Sequence, residues 1–162
     1  MKIILGIDPA LNNTGWGIIG SDGSRIKYFG CGVIKNKTNI DIADKLLNIN
    51  ESLNEVIANY KPDFVALEET FVTKNGSSTL KLGHARGAIM LTSAIAGLPI
   101  YEYSATKVKK TITGVGRAEK EQMQMMVKQI LPLADVSQHD AADALAIAIC
   151  HVHHYKITSL TS

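Results

Sequence analysis

The feature that most constrains this chain lies near its C-terminal end. Ala144-Leu145-Ala146-Ile147-Ala148-Ile149 is apolar on every face of a helix, within a helical reading of Ser137–His153. A helix of that kind has no side to offer water and must be buried, so the remaining chain has to enclose it. Its first turn is different, because Asp140 and Asp143 open it three residues apart and therefore on one face. Any fold for this sequence must bury the helix body while giving two carboxylates somewhere to go.

The first third of the chain supplies strands. Lys2–Asp8 is an almost continuous apolar run, as in a strand covered on both faces. Thr14–Gly20 and Arg25–Ile34 flank Ser21-Asp22-Gly23-Ser24, and Asp-Gly between two strand-like runs is a strong hairpin signal. Apolar residues then recur at Ile42, Leu46, Ile49, Leu53, Val56, Ile57 and Tyr60, one face of a helix that Pro62 closes. Phe64–Leu67 is a short buried strand ending in Glu68-Glu69, and Thr70–Ser78 is polar and reads as a loop. Thr79–Ala96 is helical with Gly97 and Pro99 as its stop, Pro99–Tyr103 a strand, and Ala105–Ile112 and Lys120–Leu131 further helices. An antiparallel three-strand start followed by alternating strands and helices implies an α/β fold, a mixed sheet with helices on both faces.

At 162 residues, 46% apolar and 20% charged, without linker or repeat, the composition describes one globular domain over 1–162 and excludes general disorder. Cys31 and Cys150 are far apart and match no metal or redox spacing, which fits a reducing cytoplasm. Ile3-Ile4-Leu5 is too short for the core of a signal peptide, and Gly87–Ile100 falls short of the ~20 residues of a membrane span.

The chemistry is written where acids interrupt apolar runs. Asp8 ends Ile3–Ile7, Glu68 ends Phe64–Leu67, and Asp140 and Asp143 open the buried helix. A buried carboxylate without a partner is destabilising by several kcal/mol, so such acids are paired, protonated or bound to a cation. Groups at the ends of neighbouring strands converge on one crevice. Four hard oxygen donors there suit Mg²⁺ or Mn²⁺, and two such ions about 4 Å apart are a known arrangement for phosphodiester hydrolysis. Blander readings exist for each acid. Ser137-x-x-Asp140 has the form of a capping box, Asp8 before Pro9 can start a turn, and Glu68 and Glu69 can belong to a solvated loop.

The formal net charge is only +2, so placement matters more than the total. Lys107, Lys109, Lys110, Arg117 and Lys120 face a single opposing Glu119, and Lys74, Lys81 and Arg86 lie in a segment free of acids. Such a patch beside an acidic site suits a polyanion. Phe71, in the polar loop after Glu68, either stacks on an unpaired base or tucks into the core. Gly114 and Gly116 offer close backbone approach to phosphate, which is a weak signal alone. His151, His153 and His154 lack the companions of a zinc site and read as exposed residues of a fraying helix end.

One set of segments runs along the chain as Gly6-Ile7-Asp8-Pro9 with Thr14-Gly15-Trp16-Gly17, Ala66-Leu67-Glu68-Glu69-Thr70-Phe71 and Leu80-Lys81-Leu82-Gly83-His84-Ala85-Arg86-Gly87. Val108-Lys109-Lys110-Thr111, Gly114-Val115-Gly116, Ala118-Glu119-Lys120 and Asp140–Ala146 complete the set. In order and spacing these segments resemble the RuvC family of bacterial Holliday junction resolvases over nearly the whole chain. The resemblance implies a ribonuclease-H-like mixed five-stranded sheet, three antiparallel strands followed by two parallel ones. It also implies a homodimer that nicks opposed strands of a four-way DNA junction with Mg²⁺ or Mn²⁺ in recombination and repair, alongside the RuvA–RuvB branch-migration complex. Carried over by motif, Asp8, Glu68, Asp140 and Asp143 are the catalytic, metal-holding acids, Lys109 and Lys120 contact DNA near the scissile phosphate, and Phe71 stacks on a base. Lys74, Lys81 and Arg86 join the expected DNA surface, while Glu69 and His139 stand beside the site. Ala10 stands where relatives often have Gly, and Trp16 where Tyr or Phe is usual. Whether Glu68 or Glu69, and whether Asp140 or His139, faces the metal stays open. Two other classes are weighed: a catalytically silent junction-binding module using the basic patch alone, and an actin-like phosphotransferase, for which 162 residues supply only one of two lobes.

Overall fold

The computed structural model describes residues 1–69 and 74–161, the side chains of 156–161 excepted. Phe71, expected to stack on a base, lies outside the described residues. Five strands, β1 (Lys2–Asp8), β2 (Asn13–Ser21), β3 (Ile26–Lys35), β4 (Phe64–Glu68) and β5 (Ile100–Tyr103), form one sheet in the order β3-β2-β1-β4-β5. β1, β2 and β3 pair antiparallel, and β4 and β5 add in parallel beside β1. This is the mixed sheet expected from the sequence, with the hairpin signal correctly placed. At its turn the Asp22 carboxylate accepts from the N–H groups of Ser24 (2.9 Å) and Arg25 (2.8 Å), and Gly23 takes φ 95°. Such a turn needs a residue tolerant of positive φ, and glycine is one.

Strand alternation divides the sheet into two apolar layers. Leu5, Ile7, Ile18, Val65 and Leu67 face α1 (Ile42–Tyr60) and α2 (Gly76–Ile95), where Ile49, Leu53, Ala85 and Ile89 meet them. Ile4, Ile19, Ala66 and Tyr103 face the other way, towards α3 (Ala105–Thr113), α4 (Lys120–Ile130) and α5 (His139–Thr161). The all-round apolar segment of α5 is the centre of that second layer, and residues 144–150 are buried without exception.

Two sequence expectations need correcting. The polar stretch Thr70–Ser78 is not loop throughout. Asn75 caps α2 by accepting from the N–H groups of Ser77 and Ser78, so the helix starts at Gly76. The histidines near the end of α5 are not all exposed either. His151 is buried and shares a 2.7 Å hydrogen bond with the Tyr103 hydroxyl, while His154 stacks on the Tyr103 ring and pairs with Thr111. Only His153 of the three is exposed. Gly114 takes φ 81° as the left-handed cap of α3, which gives it a role in helix termination.

Candidate active site

The end of β1 and the start of α5 meet because two glycines let them. A methyl group added at Gly15 would lie 1.9 Å from the carbonyl oxygen of Asp140, and one at Gly6 would lie 2.1 Å from that of Ala144. Any side chain at either position would push α5 off the sheet. Gly15 pairs with Asp8 across the β1–β2 ladder, so the same contact that seats the first turn of α5 sets it beside the last residue of β1. These glycines are structural parts of the site that sequence reasoning quoted only as motif letters. Their signal was small residues alternating on one face of two adjacent strands.

The consequence is a cluster of carboxylates. One oxygen from each of Asp8, Asp140 and Asp143 lies within 4.8 Å of the others. Glu68 is a fourth member by a different route, since its carboxylate lies against that of Asp8 and raises it. Phase explains why Glu68 is there and Glu69 is not. Phe64 and Ala66 belong to the layer of α5, which puts Glu68 on that side, whereas Glu69 is exposed and its N–H donates to Tyr103 at 2.9 Å. His139 is exposed and turned aside, its Nδ1 held 2.8 Å from the Gln124 amide nitrogen.

The blander readings do not describe these acids. Ser137 bonds Asp135 in a local turn instead of forming a capping box with Asp140. The turn after Asp8 is closed by Thr14, whose hydroxyl donates to the Ala10 carbonyl at 2.6 Å.

Crowding of like charge shows in the electrostatics. Burial, then the Glu68 carboxylate and the charges of Asp143 and Asp140, push Asp8 up to about 9. Burial and the charges of Glu68 and Asp140 push Asp143 up to about 6, while Lys120 and His139 pull against them. Half-buried acids that raise one another in this way fit a divalent cation, whose charge reverses the repulsion. An all-carboxylate donor set is that of a hard, oxygen-seeking ion.

Beside the acids lies a cleft of about 200 Å³ walled by Glu68, Asp143, Lys109 and Lys120 over an apolar floor of Val108, Met123 and Ile147. Two acids and two lysines lining one cleft can hold a phosphate between a cation and ammonium groups. Lys74 and Lys81 are exposed on the stretch that opens α2. Arg86, the third basic residue of that expected surface, is held by protein partners. Its side chain is 13% exposed, its guanidinium donates to the Glu68 carbonyl, and it pairs with Glu102.

Comparison with known proteins follows the same line. The family model described as "Crossover junction endodeoxyribonuclease RuvC" matches residues 4–151. The protein of that description from Rhodopseudomonas palustris (strain TIE-1) is 52% identical over 151 residues, covering 93% of this chain and 87% of its own. That of Methylorubrum extorquens (strain PA1) is also 52% identical, covering 93% of this chain and 80% of its own. The solved structure of Thermus thermophilus RuvC with a Holliday junction substrate superposes with a TM-score of 0.91 at 30% identity, covering 98% of both chains. The yeast mitochondrial resolvase Ydc2 shares the fold at a TM-score of 0.63 and 14% identity, over 98% of this chain and 85% of its own. With its five-stranded mixed sheet, its gathered acids and matches across almost its whole length, this chain belongs to the RuvC family of crossover junction endodeoxyribonucleases.

Proposed function

We propose that this chain, acting as one nuclease domain over 1–162, resolves four-way DNA junctions by metal-assisted hydrolysis of a phosphodiester in each of two opposed strands. The observation that carries the reading is the convergence of Asp8, Asp140 and Asp143 within 4.8 Å, with Glu68 beside Asp8. Those four side chains would hold two divalent ions per site, Mg²⁺ with Mn²⁺ able to substitute. When bound, the ions supply a water of lowered pKa and a counter-charge for the leaving oxygen. Lys109 and Lys120, which line the same cleft as Glu68 and Asp143, orient the scissile phosphate and offset its developing charge. Lys74 and Lys81 extend the basic surface along the substrate backbone. Phe71 is proposed to stack on a base near the junction centre, and His139 and Glu69 to flank the site without holding metal.

Paired cuts need paired sites, and a two-fold homodimer supplies them. Support for a dimer surface comes from the groove of about 550 Å³ between α1 and α2, walled by Leu46, Leu47, Gly83, Gly87 and Leu91. Gly83 and Gly87 have nothing within 4 Å of where a methyl would be, so that face has room for close approach. Among the described residues no helix is long and apolar enough to cross a membrane. The proposed setting is the cytoplasm, in recombination and repair, together with the family's RuvA–RuvB complex.

The test is nicking of a synthetic four-way junction in Mg²⁺ by the wild type and Asp8→Asn. Symmetric nicks by the wild type and their loss in Asp8→Asn are expected. Tight junction binding with no nicking in Mg²⁺ or Mn²⁺ would transfer the assignment to a silent binding module.

A further inference from the structure

We propose that Arg86 is a positioning residue for Glu68, bracing the end of β4 from α2 rather than contacting DNA. This deepens the proposed function and rests on it. The ladder at the end of β4 lacks a donor. Residues of β4 alternate between their two neighbours in the ladder, and Val65 and Glu69 donate to β5, at Pro99 and Tyr103 respectively. Glu68 therefore turns its backbone towards β1. The parallel register runs Gly6 with Ala66 and Ile7 with Leu67, so continuing it by one residue sets Glu68 beside Asp8. In such a ladder the carbonyl of Glu68 is served by the N–H of the residue after Asp8, and that residue is Pro9, which has none.

Arg86 fills the gap. It comes from α2, on the far face of the sheet from α5, and donates one guanidinium nitrogen to the Glu68 carbonyl and another to the Glu102 carboxylate. Glu102 lies on β5 opposite Leu67 and is of the phase facing α2, since Tyr101 and Tyr103 face α5. The Arg86–Glu102 pair is the single ion pair among the described residues. One planar fork thus ties three elements at the residue whose carboxylate meets Asp8. Lysine cannot reproduce this, because its ammonium is a point donor and not a fork.

The experiment uses the full chain with Arg86→Gln, Arg86→Lys and Glu102→Gln. It reads junction binding without divalent ion, Mn²⁺ binding to the protein alone from the free-ion EPR signal, and single-turnover nicking at saturating protein. Loss of a support behind a metal-holding residue typically weakens metal binding or activity by about 10–100-fold. Arg86→Gln is expected to weaken Mn²⁺ binding and slow nicking by about tenfold or more, leaving junction binding within about twofold. Arg86→Lys is expected to fall between it and the wild type. Glu102→Gln is expected to lose about threefold, and the Arg86→Gln/Glu102→Gln double variant to be no worse than Arg86→Gln.

Weakened junction binding with unchanged Mn²⁺ affinity would overturn the proposal and make Arg86 a phosphate contact. Wild-type values throughout would overturn it as well. Should Arg86→Gln fail to fold by circular dichroism, the other two variants decide. Wild-type Mn²⁺ affinity and nicking in both would then sink the proposal. If the wild-type protein does not nick, the functional reading fails separately, and the Mn²⁺ comparison still judges Arg86.

Discussion

Asp8 carries the strongest consequence at the scale of a single residue. Its carboxyl is raised from 3.8 to about 9 in the folded chain, by burial first and by Glu68 second. The folded form therefore keeps a proton that the unfolded form releases, and stability without metal falls as pH rises through that interval. His151 has the opposite sign. Burial holds it down at about 4, below its ordinary 6.5, so its contribution is lost as pH falls through that lower window. The two separate cleanly above pH 7, where His151 is neutral in both states and Asp143, raised only to about 6, has largely ionised. Between roughly pH 7 and 9 the metal-free protein should lose up to ~1.4 kcal/mol of stability per pH unit. Asp8→Asn should flatten that slope while abolishing nicking. Mn²⁺ should raise the melting temperature more at pH 8 than at pH 6. Thermal unfolding of both proteins across this range, with and without Mn²⁺, checks all three; a slope unchanged in Asp8→Asn would remove Asp8 as its source.

At the scale of elements, the site depends on how closely α5 sits on β1 and β2. Gly15→Ala has no room, with the Asp140 carbonyl 1.9 Å from the new methyl, so the first turn of α5 must lift. Overpacking of that kind is destabilising by about 1–3 kcal/mol. Since the turn carries Asp140 and Asp143, the same variant should bind Mn²⁺ at least about tenfold more weakly. Urea denaturation and Mn²⁺ titration of Gly15→Ala measure the two effects; a destabilised variant with unchanged Mn²⁺ affinity would show that the contact supports the fold and not the site. This dependence also explains what the sequence could and could not disclose. The Asp22-Gly23 hairpin is legible because its hydrogen bonds are local, and α5 because an all-round apolar run has nowhere to go but inside. The phase of Glu68 against Glu69 is not legible, because a strand of five residues takes its facing from partners in β1 and β5. The burial of His151 is hidden for a similar reason, since Tyr103, the group that makes it tolerable, lies 48 residues away. The partners of Arg86 are equally hidden in the sequence, being a carbonyl on β4 and an acid on β5.

At the scale of the whole molecule, the two faces of the sheet present different surfaces. The face with α3, α4 and α5 carries the acids and the lysine-walled cleft. Removing the phosphate contact proposed there, as in Lys109→Ala, should weaken junction binding at all sequences and reduce the slope of log affinity against log salt by about 1. The face with α1 and α2 keeps large apolar groups in water, with Leu47 at 53%, Leu91 at 61% and Ile95 at 75% exposed. That groove is held in shape from within, since Asn50 of α1 donates to the buried Thr92 hydroxyl of α2 at 2.7 Å. A charge in its wall should therefore disrupt association without disturbing the fold. Leu91→Glu is expected to sediment as a monomer at micromolar concentration with an unchanged melting temperature. Its functional signature follows from topology. On a supercoiled plasmid that extrudes a cruciform, a dimer cuts both strands during one encounter and yields linear DNA. A monomer makes one nick, the supercoiling that sustains the cruciform is released, and the product stays open-circular. The ratio of linear to open-circular product thus reads coupling between subunits independently of chemistry at either site. A Leu91→Glu protein that remains monomeric yet still linearises the plasmid would mean that paired cutting does not need this face.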